Sequence, residues 1–193
     1  MIIGIKGLPE QGKTASAVFL AYIFREKYSI IASNMKRLQF GNAFYPDPLE
    51  LVNNLTKNQK VLYIWDEAYS AMDSRSSMSI DNRLMSYLTL QLRKFHVDMI
   101  HIEQLRGSVD IRLRDISKFY IHVQKLGYIP NDSLVVKWYI FDELTILSDS
   151  PIAELKVRIP QRILNMYDTY EITESQYEQI KELKEKKRKN KSA

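Results

Sequence analysis

The sequence predicts an α/β fold, a mostly parallel sheet covered by helices, within 193 residues. Three observations predict it. Apolar runs of strand-forming residues alternate with stretches of helical period. Residues 61–65 (VLYIW) are apolar throughout, as a strand buried on both faces of a parallel sheet must be. The first apolar run, 1–5, passes into a helical pattern through Gly7-Leu8-Pro9-Glu10-Gln11-Gly12-Lys13-Thr14, which has the spacing of a phosphate-binding loop.

The elements follow in order. Residues 15–27 carry Ala15, Val18, Phe19, Tyr22 and Ile23 at helical spacing. A second strand is expected over 29–33, and Pro48 opens a short helix over 48–55 with apolar residues at 49, 52 and 55. After the strand 61–65, the small polar residues 69–79 read as a loop and 80–95 as an amphipathic helix, with Ile80, Leu84, Tyr87, Leu88 and Leu92 on one stripe. Strands are expected over 97–102 and 119–123, and turn chemistry over 126–131. Residues 134–141 and 144–147 flank Asp142-Glu143 as a hairpin, 157–159 form a last short strand, and Pro160 opens a short helix. Thr173 and Gln176 have capping-box spacing for a terminal helix. The expected division is one domain over 1–172 and a basic helical tail over 173–193.

Charge narrows the partners. The net charge is +5, and seven Lys/Arg against two Glu between Lys181 and Lys191 account for all of it, leaving 21 of the 28 basic and 21 of the 23 acidic residues elsewhere. The excess belongs to a tail, which can hold nucleic acid or simply be solvated. No window offers the roughly twenty apolar residues of a membrane span. The start does not resemble a signal peptide, and zero cysteines exclude disulfides and thiolate metal sites, which fits a reducing, cytoplasmic setting.

Four signals converge on one bound nucleotide. Gly7, Pro9, Glu10, Gln11, Gly12, Lys13, Thr14 and Ala15 form the expected cradle, where main-chain N–H groups and the positive end of a helix meet an anion. Gly12 permits close backbone approach, Lys13 reaches the β- and γ-phosphates of ATP, and Thr14 holds Mg²⁺. Asp66, at the carboxyl end of the buried strand, stands where open α/β sheets place ligands and is the second Mg²⁺ residue. Glu67 beside it can polarise an attacking water, which favours hydrolysis over transfer to a hydroxyl. Gln104, after the next strand, can contact the γ-phosphate or that water. An arginine stabilises the attacked phosphate, and Arg75, Arg93, Arg106, Arg112 and Arg114 are the candidates; if none reaches its own nucleotide, a ring of subunits follows. His96, His101 and His122 lack metal-ligand spacing, and Trp65 and Trp138 read as core. The tyrosine-rich hairpin could stack on bases, although strands favour aromatics in any case.

The stretch 93–114, RKFHVDMIHIEQLRGSVDIRLR, resembles the FtsK–HerA superfamily of DNA-pumping ATPases in its order of Arg93, a strand to Ile102, Gln104, Val109-Asp110 and Arg112. Glu103 stands where that family usually has threonine. Gly-x-Pro-x-x-Gly-Lys-Thr, Trp65-Asp66-Glu67-Ala68, Asp73-Ser74-Arg75 and Tyr167-Asp168-Thr169 resemble the branch of small viral and plasmid packaging ATPases and zonula-occludens-toxin-like phage assembly ATPases. The resemblance implies a RecA-like core, ATP with Mg²⁺, a hexameric or pentameric homo-oligomeric ring, and double-stranded DNA in its channel. It implies Arg93 as the finger acting in trans, with Arg75 second. Toxin-like members usually carry a membrane span and a further domain, so the packaging type is favoured, with a capsid or portal protein as partner and the host cytoplasm as its place if viral. The alternatives are a phage-assembly or plasmid DNA-transfer ATPase, a small P-loop kinase, and a nucleotide switch without transport.

Overall fold

The computed structural model describes residues 1–56, 59–66, 92–103, 116–142, 145 and 150–168. Eight strands form one mixed sheet: β1 (Ile2–Lys6), β2 (Ile30–Ser33), β3 (Ala43–Phe44), β4 (Val61–Trp65), β5 (Val97–Glu103), β6 (Phe119–Ile129), β7 (Ser133–Asp142) and β8 (Ala153–Pro160), in the order β3-β2-β4-β5-β1-β6-β7-β8. The pairings from β3 across to β6 are parallel, and those of β6 with β7 and β7 with β8 are antiparallel. Among the described residues the helices are α1 (Lys13–Phe24), continued by a 3₁₀ turn Arg25–Lys27, then α2 (Pro48–Asn54) and α3 (Gln161–Leu164).

Two cores lie on the two faces of the sheet, and strand alternation assigns them. Ile3 and Ile5 of β1, Leu62 and Ile64 of β4, and Ile100 and Ile102 of β5 pack with Ala17, Val18 and Ala21 of α1. Ile2, Val61, Tyr63, Trp65, Val97 and Met99 point the other way and meet Leu51 of α2 and Leu92. All five residues of β4 are buried, as its unbroken apolar run requires. Asp47 caps α2 by accepting the main-chain N–H groups of Leu49 (2.8 Å) and Glu50 (2.9 Å), with Pro48 at its first turn. Gly4 is a packing glycine: a Cβ there would lie 2.3 Å from the Tyr120 ring.

The C-terminal part departs from expectation. β6 does not stop at residue 123 but runs to Ile129, because a register shift between Lys125 and Gly127 leaves Leu126 as the extra residue of a bulge and keeps Gly127 in the ladder opposite Val135. The hairpin is therefore β6–β7, turning through 130–132. The expected return arm 144–147 lies, apart from Thr145, outside the described residues. Thr145 is in a turn, donating its main-chain N–H to Asp142 Oδ1 at 2.8 Å, and the strand that pairs with β7 is Ala153–Pro160. The helix expected over 80–95 is described only from residue 92, where Arg93–Phe95 is a 3₁₀ turn, and the tail 173–193 lies outside the described residues. Among the described residues no helix is long and apolar enough to cross a membrane.

His101 of β5 is fully buried, with Nε2 3.0 Å from Ser117 Oγ and its ring edge-on to Tyr120 at 5.8 Å. Burial lowers its pKa from 6.5 to about 3, so the folded protein keeps it neutral. Unfolding frees the ring to take a proton once the pH is below 6.5, so this residue erodes stability as pH falls from 6.5 towards about 3 and not above. In His101→Gln, the fall of Tm across that acid range should be shallower than in the wild type, whatever the two values are at neutral pH. Parallel pH–Tm curves from circular dichroism would refute it.

Candidate nucleotide site

The site forms where β1 ends and α1 begins, at the carboxyl edge of the parallel strands, the position at which open α/β sheets hold ligands. Gly12 occupies the left-handed region (φ 87°) as the residue before the helix, and Glu10 is also left-handed (φ 62°). Ser16 donates its N–H to the Gly12 carbonyl at 2.9 Å, which starts the helix at the loop. Gly7 passes so near β6 that a Cβ would stand 2.7 Å from the Val123 carbonyl oxygen. Leu8, Pro9 and Glu10 form the exposed crest, and Ala15 is buried beneath.

The side chains expected to act come together in part. The Lys13 ammonium, its side chain held in a residue only 9% exposed, donates to the Leu8 carbonyl at 2.8 Å, spanning the loop where a phosphate would compete for it. The Thr14 hydroxyl donates to Asp66 Oδ2 at 3.0 Å. Gln11 points away from the crest and accepts the Lys125 main-chain N–H at 2.9 Å, fastening the loop to β6. Glu67, Arg75, Gln104, Arg106, Arg112 and Arg114 lie outside the described residues, and Arg93 is placed by its main chain alone.

These residues fit ATP with Mg²⁺. A hydroxyl and a carboxylate in contact supply hard oxygen ligands of the kind Mg²⁺ takes alongside phosphate oxygens and water. The loop would offer main-chain donors at a helix N-terminus, and Lys13 would supply a cation for the outer phosphates. Bound there, the metal ion would neutralise charge on the β- and γ-phosphate oxygens.

Asn34 did not stand out in the sequence as a site residue. Asn34, directly after β2 and 8% exposed, donates its side-chain amide to the Asp66 carbonyl (2.9 Å) and accepts the Asp66 main-chain N–H on Oδ1 (2.8 Å). The signal was available, a polar residue at a strand's carboxyl end, but it is a common one. Tyr167 closes the α1-face core, and burial raises its pKa, with the charges of Asp66 and Tyr128 adding to the rise. On the opposite face a groove of about 600 Å³ beside the loop is lined in part by Leu8, Gln11, His122, Tyr139 and Phe141.

No protein family and no curated protein matches the sequence. Solved structures do match the fold. The N-terminal domain of zonular occludens toxin from Neisseria meningitidis superposes with a TM-score of 0.60 at 17% identity, covering 86% of this chain and 98% of that one. A second solved structure, described as an ATPase domain, gives a TM-score of 0.52 at 12% identity, with 80% of each chain covered. The genome packaging NTPase B204 of Sulfolobus turreted icosahedral virus 2 is looser, at 0.48 and 9% identity over 75% of this chain and 93% of that one. At these identities the likeness to the first two is one of fold.

Gly12→Ala tests the loop geometry. An alanine there meets the left-handed penalty of about 1–2 kcal/mol, and its Cβ would lie 3.0 Å from Leu134 Cδ2 and 3.2 Å from Val136 Cγ1. The urea midpoint should fall accordingly, and nucleotide affinity by tenfold or more because the loop must shift. Wild-type affinity in that variant would show that the loop does not hold phosphate in this conformation.

Proposed function

We propose that the chain is an ATP-hydrolysing DNA translocase that works as a homo-oligomeric ring and loads double-stranded viral DNA into a capsid. The observation that carries the nucleotide half is the 3.0 Å contact of Thr14 with Asp66 beside the phosphate loop. In this reading Lys13 neutralises the outer phosphates, and Thr14 with Asp66 holds Mg²⁺. Glu67, the next residue after Asp66, orients and polarises the attacking water, and Gln104 reports the state of the γ-phosphate to the segment 105–114. Arg93 completes the neighbouring subunit's site, with Arg75 as the second candidate. The order of residues 93–114 supports the DNA half, and the likeness of the fold to that of an ATPase domain supports the nucleotide half.

A related reading keeps the chemistry and changes the cargo. The motif resemblance to zonula-occludens-toxin-like phage assembly ATPases, together with a fold like that of the zonular occludens toxin domain, makes a DNA-transfer or phage-assembly ATPase the second choice.

The deciding measurement is ATP turnover with and without duplex DNA. DNA should stimulate it severalfold, and Glu67→Gln should lower kcat by about 10²-fold or more while nucleotide still binds. Transfer to a small acceptor without a DNA effect would replace the motor by a kinase, and binding without turnover would leave a switch. A particle that stays monomeric with ATP and DNA would overturn the arginine acting in trans.

A further inference from the structure

Asp66 is held by more than its own strand. The carboxamide of Asn34 engages both polar groups of its main chain, donating to the carbonyl at 2.9 Å and accepting the N–H at 2.8 Å. Such a two-point clamp fixes a residue's orientation as one bond cannot. Asp66's carboxylate, the group facing Thr14, leaves the same backbone.

Asn34 is itself fixed. It follows β2, whose Ser33 pairs with Ile64 of β4, and Ser33 Oγ accepts the Met35 N–H at 2.9 Å, which sets the turn out of the strand. Met35 and Leu38 are buried in the α1-face core with Tyr167. Beyond them the loop meets a second segment. Gln39 donates its main-chain N–H to the Met166 carbonyl (2.8 Å) and its side chain to the Asn165 carbonyl (2.9 Å), and Arg37 pairs with Asp168 at 3.1 Å. That segment begins at Gln161, whose N–H donates to the Asp132 carbonyl in the β6–β7 turn at 2.7 Å. A run of bonds thus leads from the Thr14–Asp66 pair through Asn34 and 35–39 to 161–168 and the far hairpin.

We propose that Asn34 is a positioning residue for the metal-holding carboxylate of Asp66, carried by the loop 34–39 and braced at its outer end by residues 165–168. It rests on the reading of this site as one for nucleotide and Mg²⁺. Residues that orient metal ligands change metal affinity about 10–100-fold when removed. Asn34 should therefore govern the Mg²⁺ requirement rather than nucleotide contact as such. Residues 161–168 gain a role as well: displacing them alters the Mg²⁺ requirement without touching a ligand.

The test uses the full chain and two readouts other than turnover. The first is the rise in Tm produced by ATP as Mg²⁺ is titrated, and the second is binding of a fluorescent ATP analogue in EDTA. Asn34→Ala should raise the Mg²⁺ midpoint about tenfold and leave binding in EDTA within about twofold of wild type. The double variant Arg37→Ala/Gln39→Ala, at exposed positions, should move the midpoint the same way by about threefold; if Asn34→Ala does not fold, Asn34→Ser takes its place with the same expected and overturning outcomes. An unchanged midpoint in Asn34→Ala, or an equal loss of binding in EDTA, overturns the assignment, since general loosening does not single out the metal. An unchanged midpoint in the double variant overturns the bracing by 165–168. A wild-type protein whose Tm does not respond to ATP and Mg²⁺ overturns the nucleotide reading itself, and this inference with it.

Discussion

Parallel pairing in register is the constraint on which the rest of the structure depends. Lys6 of β1 lies opposite Glu103 of β5, Trp65 of β4 opposite His101, and Ser33 of β2 opposite Ile64. Because these strands run the same way, the residues that follow them emerge at one edge, β2 and β4 ending three and two residues short of β1 in register. The phosphate loop, Asn34 and Asp66 are neighbours for that reason, although they are far apart in the chain. A slip of one residue in any pairing would turn Ile3, Ile5, Leu62 or Ile64 from one core to the other, so burial fixes the register and the register fixes the site.

The antiparallel half of the sheet supports what the parallel half builds. Leu134 and Val136 of β7 back the Gly12 position, and Gln11 is tied to the Lys125 main chain in β6. Trp138 donates its indole N–H to Ser16 Oγ in α1 at 2.9 Å, joining β7 to the first turns of the helix. The loop is held by β6, by β7 and by its own helix, and only its crest at Leu8, Pro9 and Glu10 faces solvent.

What the sequence made legible follows from the strength of each local signal. The run 61–65 and the glycine-bracketed loop carry dense information, since few other structures suit an unbroken apolar pentad or that glycine spacing. β8 was harder. Its sequence AELKVRIP alternates charged residues outward along an edge strand, so the expected strand 157–159 lies within β8 while Glu154 and Lys156 hid its first half, and only Val157 and Ile159 face the core. Turn residues likewise masked the second half of β6, because Gly127 reads as a breaker unless a bulge is foreseen. At the candidate site, Lys13, Thr14 and Asp66 stand out in the sequence because phosphate and Mg²⁺ chemistry prescribes such residue types, and the fold brings Thr14 and Asp66 into contact. Asn34 was not, because its role is to hold a backbone, which any polar residue at a strand end could do until the fold brings the two together.

The placement of the two tryptophans has an optical consequence. Trp65 is the residue before Asp66, with its ring buried on the face opposite α1, while Trp138 is bonded to the helix that begins at the phosphate loop. Both indoles are dry, at 1% and 6% exposure, and the chain has no others. One therefore adjoins the carboxylate and the other the helix, on opposite sides of the sheet. The protein carries its own pair of fluorophores at the two ends of the site, and rearrangement on either side would be written into its intrinsic emission without any label.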